Sequence, residues 1–580
     1  MGALLRSALL LALLAPAPAA GDAFLNGGFE DGLTGWQVRN PSGTFRVEAT
    51  NAEKAGGRAS AHAVKTGGMA ADALAGAVST PPAGGRLTIS ARVKGKDLAN
   101  AWLKFLVFDG SGNPLVPDCD LRMLRGTFDW TTVERTFEIP EEAARAEVVL
   151  LLYLSGEAWL DDVRVFPPET RPRKPLDRRT AKWLDDHAAK VATLAFDGPH
   201  DDLAPLARAI GDARIVQLGE QSHGDGATFL AKARIARFLH EKLGFGVLAF
   251  ESGLFECDRA NEMLRAGRPK EAMHASVFPI WRVEETLPLF EHMAKAAGGD
   301  RPLLLAGFDL RGSGKLAADF PGRLVSFLGP PGTVEASDLA ALSRLNALLE
   351  ADPYLPPEEE RAAGLAALDR LEALLAAGRD RLVATQGEAE TAFFERCLGN
   401  FRRREAFEKA KTDPSFGRWG ASNLRDARMA ENLAWLAEVR HPGKKIIVWA
   451  ATMHQARALD EISIGGNAKF YDGCEGMGEA VAARFGRAVF TIGFLAHHGT
   501  AGTFAPRFRL EEPREDSFED VFYRYGAPYL FLDLERAGPL DGPGYASPMS
   551  YDRGIRARWP KVLDAFFYVE EMSATRYVGE

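Results

Sequence analysis

The sequence predicts a multidomain protein: an N-terminal β-sandwich of jelly-roll type, then an α/β domain with a mainly parallel sheet and a helical insertion. Three observations carry that expectation. At 580 residues the chain exceeds what one hydrophobic core usually supports. Between residues 22 and 166, short apolar segments alternate with period two and no strong helical period intervenes, which is the pattern of antiparallel strands. From 181 to 580, compact apolar runs alternate with long helical stretches, the signature of parallel strands joined by helices. A leader over 1–20 and a linker over 167–180 complete the division.

The leader comes first. Arg6 precedes an apolar run from Ala8 to Leu14, and small residues follow at Ala17, Ala19 and Ala20, with Pro16 and Pro18 breaking any helix. This is the pattern of a secretory signal cut near Ala20, and it predicts a periplasmic or secreted mature chain. The run is too short to span a bilayer comfortably, and no later segment reads as a membrane span. A formal charge of -9 argues against a nucleic-acid partner. It leaves small molecules and glycoconjugates open as substrates, and the oligomeric state is not legible. Cys119, Cys257, Cys397 and Cys474 lie far apart without CxxC pairing, so a structural zinc site is not indicated.

In the first domain RLTISARV, AWLKFLVF, TTVERTFEI, AEVVLLLYL and AWLDDVRVF are the strand candidates. The opening NGGFEDGLTGW and closing WLDDVRVF resemble the ends of galactose-binding-like, carbohydrate-binding-module-like sandwiches. That resemblance implies a glycan-binding role and a structural calcium ion, with Asp161 and Asp162 as candidate ligands. Trp36, Trp102, Trp130 and Trp159 could stack on a sugar or fill the core. The proline-rich run from Pro167 to Pro175 reads as a linker.

In the second domain Leu203–Ile210 reads as a helix and Arg214–Gly219 as a strand. Thr228–Leu243 is an amphipathic helix and Gly246–Phe250 the next strand, a βαβ unit with parallel strands. Pro302–Phe308, Lys445–Ala450, Ala488–Phe494 and Tyr529–Leu534 are further strands. Helical stretches at Ser337–Ala376, Thr391–Glu408 and Asn423–Val439 predict an insertion over one end of the sheet.

Parallel sheets bind reactants beyond the carboxyl ends of their strands, so polar residues just after each apolar run are the site candidates. Glu220 ends the first strand and His223 follows; Glu251 ends the second. Asp309 and Arg311 follow the third, and His454 follows the Lys445 strand. Histidine suits proton transfer near neutrality, and a carboxylate can fix its tautomer. Two glutamates in one pocket would raise each other's pKa and share a proton. His454 or an arginine could stabilise an oxyanion. These residue types also allow a metal-dependent hydrolase or a transferase, although their spacing does not establish a metal. There is no Gly-x-Ser-x-Gly elbow at a strand end and no P-loop.

Arg214 through Glu251, with LGEQSHG and FGVLAFE, resembles the erythromycin esterase family, as do Arg425–Asn432 and Leu563–Glu570. The resemblance implies a metal-independent hydrolase that needs no cofactor and opens an ester or lactone with water. It implies that Glu220, His223, Glu251 and His454 are catalytic; Asp309, Arg311, Arg425 and His498 are the candidates to contact substrate. One departure stands out. The family's His-Asn-x-His segment reads Ala451-Thr452-Met453-His454 here, so the first histidine is missing. That makes a macrolide an improbable substrate and allows a third reading, a catalytically inactive glycan- or ligand-binding protein. His497 and His498 are candidates to restore an imidazole from a neighbouring loop.

Overall fold

The structure is a computed structural model that describes residues 26–579, apart from 69, 79–85, 116–119, 141, 167–174, 330–333, 352–353, 504–506 and 537–541. The leader, Cys119 and most of the linker lie outside the described residues. The chain divides into two compact units, Met1–Pro172 and Arg173–Glu580.

Every strand pairing of the first unit is antiparallel. The 23-residue strand Arg86–Phe108 pairs with Gly156–Phe166 through Thr88–Lys96, and with Arg145–Tyr153 through Asn100–Phe108. One long strand therefore joins the others into a single eight-stranded sheet. Its register shifts around Gly95 and Leu98, and a Cβ at Gly95 would meet the Phe128 ring at 2.4 Å. Alternate residues Leu87, Ile89, Ala91, Val93, Leu103, Phe105 and Val107 are buried in one core with Leu74, Val148 and Leu150. Trp36 and Trp159 belong to the interior: Trp36 Nε1 donates to the Asn26 carbonyl at 3.1 Å, and Trp159 stacks on His62 at 4.4 Å. Trp102 and Trp130 are half-buried. The buried Asp161 carboxylate accepts the backbone N–H groups of Ala55, Gly56 and Asp162, so it pins a loop.

The second unit begins earlier than expected. A helix spans Arg178–His187 because the Asp177 carboxylate accepts the amides of Arg179 and Thr180, a side-chain cap that supplies partners for orphan donors. Its sheet runs, edge to edge, Leu304–Asp309, Phe245–Gly253, Lys445–Trp449, Ile215–Leu218, Val489–Ala501, Ala565–Met572, Tyr529–Asp533 and Ala188–Lys190. The first six are parallel neighbours; Tyr529–Asp533 runs antiparallel between its two partners. The Ile215 and Phe245 strands are not adjacent, as a simple βαβ unit would have them. The Lys445 strand enters between them, parallel to both, with Trp449 opposite Leu218 and Phe250. Glu220, Ala451 and Glu251 thereby come to one edge on three successive strands.

The crossover helix Gly226–Leu243 is buried on more than one face, and Lys232 and Arg234 are among its buried residues. The stretch expected as one helix from Ser337 to Ala376 is two, Ala336–Leu349 and Glu358–Ala377, because Pro356-Pro357 interrupts the ladder. These and Glu388–Thr412 do not only cap an end of the sheet. Leu342, Leu368, Leu371, Phe393 and Leu398 share a core with Val247, Ala249, Ala306 and Val448 on a sheet face, the leucine, phenylalanine and valine side chains each contributing about 1.5–3 kcal/mol by burial. Among the described residues no helix is long and apolar enough to cross a membrane.

Candidate active site

Close backbone approach builds the site's first half. A Cβ on Gly219 would sit 2.2 Å from Thr452 Oγ1, so glycine lets the Ile215 and Lys445 strand ends touch, and the Thr452 amide donates to the Glu220 carbonyl at 3.0 Å. Glu220 is fully buried. Its Oε1 accepts His223 Nδ1 at 2.8 Å and Trp281 Nε1 at 3.1 Å, and its Oε2 accepts Lys232 Nζ at 2.5 Å. Burial opposes the charge on Glu220, but Lys232 and then His223 hold its pKa below the ordinary carboxylate value. Burial pulls Lys232 down to about 8 despite Glu220; its Nζ also lies 4.2 Å from the centroid of the Trp449 ring. The His223 side chain is 42% exposed. With Nδ1 held by Glu220, Nε2 is the nitrogen left for a reactant. Partial burial works against protonation there, yet Glu220 and Glu251 raise the imidazole's proton affinity above that of free histidine.

Asp225 fixes the loop that carries His223. Its buried carboxylate accepts the amides of Gln221 (3.1 Å) and Ser222 (2.8 Å) and the hydroxyls of Ser222 (2.6 Å) and Tyr551 (2.9 Å). Burial pushes its pKa up to about 6. A raised acid pKa means its stabilising contribution is full below about 3.9 and lost as pH rises through about 6. Asp225→Ala, which strands two amides, is expected to cost about 2–3 kcal/mol and most of the activity. Asp225→Asn keeps an acceptor for the amides, and its NH2 can donate to the hydroxyls, so it should recover both. Urea unfolding and ester turnover of the two variants check this; equal losses would show that the carboxylate's charge, not the bonds that asparagine keeps, holds the loop.

The second half centres on Arg425, from helix Gly420–Trp435. Its Nη2 donates to Glu251 Oε1 at 2.5 Å and Asp309 Oδ2 at 2.6 Å, its Nε reaches Asp309, and its Nη1 lies 3.0 Å from His454 Nε2. His454 Nδ1 lies 2.7 Å from Asp426 Oδ1. An arginine only donates, so His454 offers it Nε2, which leaves the proton on Nδ1, within ion-pair range of Asp426. Burial opposes protonation of His454, but Asp426 and Glu251 raise its proton affinity. Glu251 falls to about 2: burial opposes this, and His454, Arg425 and His223 outweigh it. Asp309 is lowered too, against its burial, by Arg311 and Arg425. The two glutamates therefore do not share a proton. Each has its own buried cation, and both are held ionised.

Residues 240–577 match the model of the family named erythromycin esterase. The chain belongs to that family. The Bacillus subtilis (strain 168) protein YbfO is 26% identical over 373 residues, 61% of this chain and 80% of that one. Erythromycin esterase type II of Escherichia coli is 23% identical over 442 residues, covering 69% of this chain and all of the relative. Among solved structures, a histidine-to-asparagine mutant of the erythromycin esterase EreC in its open conformation superposes with a TM-score of 0.51. It is 18% identical, over 68% of this chain and 100% of that one.

Against the family's pattern, the structure joins Glu251, Asp309, Arg311, Arg425 and His454 into one bonded network, beside the Glu220–His223 pair. At the departing position the Ala451 amide donates to Glu251 Oε2 at 3.0 Å, so the backbone there still serves the site. His497 and His498 turn their rings on each other and on Tyr523, with His497 stacked 3.9 Å from Tyr523. What the same chain segment brings to the site is Thr503, whose hydroxyl donates to the His223 carbonyl at 2.5 Å. Sequence reading missed Lys232, Trp281, Asp225 and Asp426 as site residues. Asp426 stands next to Arg425 in a quoted family motif, and Asp225 falls two residues after His223. Lys232 and Trp281 left no signal, because a helix lysine or a lone tryptophan looks like ordinary surface or core.

Proposed function

We propose that this protein is an exported hydrolase that cleaves an ester or lactone by attack of water, with His223 as the base. The observation that carries this is the buried, ionised Glu220 bonded to His223 Nδ1 at 2.8 Å, while the ring stays 42% exposed. Nε2 takes a proton from water, and Glu220 stabilises the imidazolium. The hydroxide adds to the acyl carbon, and Arg425 supplies positive charge near the developing oxyanion. Collapse breaks the ester C–O bond, and the imidazolium returns its proton to the leaving oxygen. Acid and alcohol result, and His223 is regenerated. One histidine does both transfers because Ala451 can carry no proton.

The reaction is proposed to need no metal. The space among Glu251, Asp309 and His454 holds the Arg425 guanidinium, and among the described residues no group of three or more His, Cys, Asp or Glu is disposed to bind an ion. The leader supports export, and the sandwich supports a small-molecule or glycoconjugate substrate over a macrolide, with the missing histidine pointing the same way. The test is turnover of a panel of lactones, acetylated sugars and simple esters before and after chelation. Turnover that survives chelation is expected. Activity lost with chelator and restored by a divalent ion would overturn the metal-free mechanism. Failure to turn over any member would favour the ligand-binding reading that Ala451 invites.

A further inference from the structure

The reaction written above leaves Lys232 without a part. Its side chain is fully buried on the crossover helix Gly226–Leu243. Nζ donates to Glu220 Oε2 at 2.5 Å. It also lies over two rings, Trp449 at 4.2 Å from the centroid and Phe229 at 5.6 Å. The helix around it is packed into an apolar core by Phe229, Ala233, Ile235 and Ala236. Such a position suits a hydrocarbon side chain. Burying an ion pair costs desolvation that the mutual attraction often fails to repay, so stability is a poor reason for an ammonium here. The charge balance at Glu220 is a better one.

The Glu220 carboxylate bridges two nitrogens, with Oε2 on Lys232 and Oε1 on His223. Trp281 Nε1 shares Oε1 and adds no charge. When His223 is neutral, Lys232 is the cation bonded to Glu220 among the described residues. Without the ammonium, that state would hold a lone buried carboxylate, which is costly. The Glu220–His223 pair would then keep its proton, on imidazole or carboxylate, to a higher pH. The other charges nearby do not replace Lys232. Glu251 and Arg425 also act on His223, but Arg425 is bonded to Glu251 and Asp309. Asp225 and Glu251 act on Lys232 besides Glu220; both are acids, and Asp225 is bonded to Ser222 and Tyr551.

We propose that Lys232 is a positioning residue acting through Glu220: it cancels the carboxylate's charge and so keeps more of His223 unprotonated near neutral pH, with Nε2 free to take a proton. Glu220 can then orient the ring and support the imidazolium as it forms, without holding the ring protonated at rest. Glu220 and Glu251 pull His223 one way, and Lys232 limits how far. Burial brings Lys232 down only to about 8, so it is still mostly charged at pH 7. The use of this balance in ester cleavage rests on the hydrolase reading; the effect on His223 does not.

Carbethoxylation tests this without a substrate, because diethyl pyrocarbonate acylates neutral imidazole and the His223 ring is exposed. The full chain has 11 histidines, so the peptide carrying His223 is followed by mass spectrometry, from about pH 5 to about pH 9. In Lys232→Met the inflection should rise by about one pH unit or more, a ten-fold loss of neutral imidazole at any pH below it. Lys232→Gln keeps a donor for Glu220 Oε2 but no charge. It is the variant to use if Lys232→Met does not fold, and the same rise is expected in it. A wild-type inflection in either folded variant would overturn the proposal and leave Lys232 a strut, as would loss of folding in both. Esters hydrolysed with the inflection unmoved would remove this role alone. A raised inflection with no ester hydrolysed by any of the proteins would remove the hydrolase reading and leave the role of Lys232 standing.

Discussion

His223→Ala is expected to lower kcat/KM for ester hydrolysis by about 10²–10⁴-fold, the range for loss of a positioned general base. Stability should hardly change, because the side chain is 42% exposed and Glu220 keeps Lys232 and Trp281 as partners when the imidazole is gone. The pH profile gives a sharper readout. Catalysis needs Nε2 unprotonated, so the rate rises with pH through the imidazole pKa, which Glu220 and Glu251 lift above that of free histidine. Glu220→Gln removes that support, and the inflection should move to lower pH. It also leaves Lys232 buried beside a neutral amide, so this variant, unlike His223→Ala, should lose stability. An inflection unmoved by Glu220→Gln would mean that another group is being titrated.

The site was legible in the sequence to the extent that its residues follow apolar strands. Glu220, Glu251, Asp309 and His454 each stand within a few residues of a buried run, and a parallel sheet brings such positions to one edge whatever the strand order. The order itself was not legible. Local pattern says nothing about which strand fills the gap left by a crossover, so the Lys445 strand between Ile215 and Phe245 came as a finding. The cations were equally hidden. Lys232 occupies a helix position that periodicity assigns to a charged surface, and only the tertiary fold puts Glu220 over it. His498 follows an apolar run as His454 does, but its strand continues to Ala501, and its ring meets Tyr523 edge-on.

Removing the central guanidinium should have the largest effect on folding. Arg425→Ala leaves Glu251 and Asp309 buried, with Asp309 retaining Arg311 and Glu251 retaining His454 and the Ala451 amide. Breaking a buried ion pair from one side costs about 3–5 kcal/mol, and urea unfolding should register a loss of that size. Arg425→Lys keeps the charge but cannot reach Glu251, Asp309 and His454 together, so it should recover only part. The pH dependence fixes the cause. In the wild type Glu251, at about 2, adds stability above its unfolded value of about 4.3, lost as pH falls toward 2. Without Arg425, burial raises the folded pKa of these acids, so the variant takes up protons on folding at higher pH. Its deficit relative to wild type should therefore shrink between about pH 7 and pH 5. A deficit constant over that range would mean that Arg425 acts through packing, and that the cation holding Glu251 and Asp309 ionised lies elsewhere in the network.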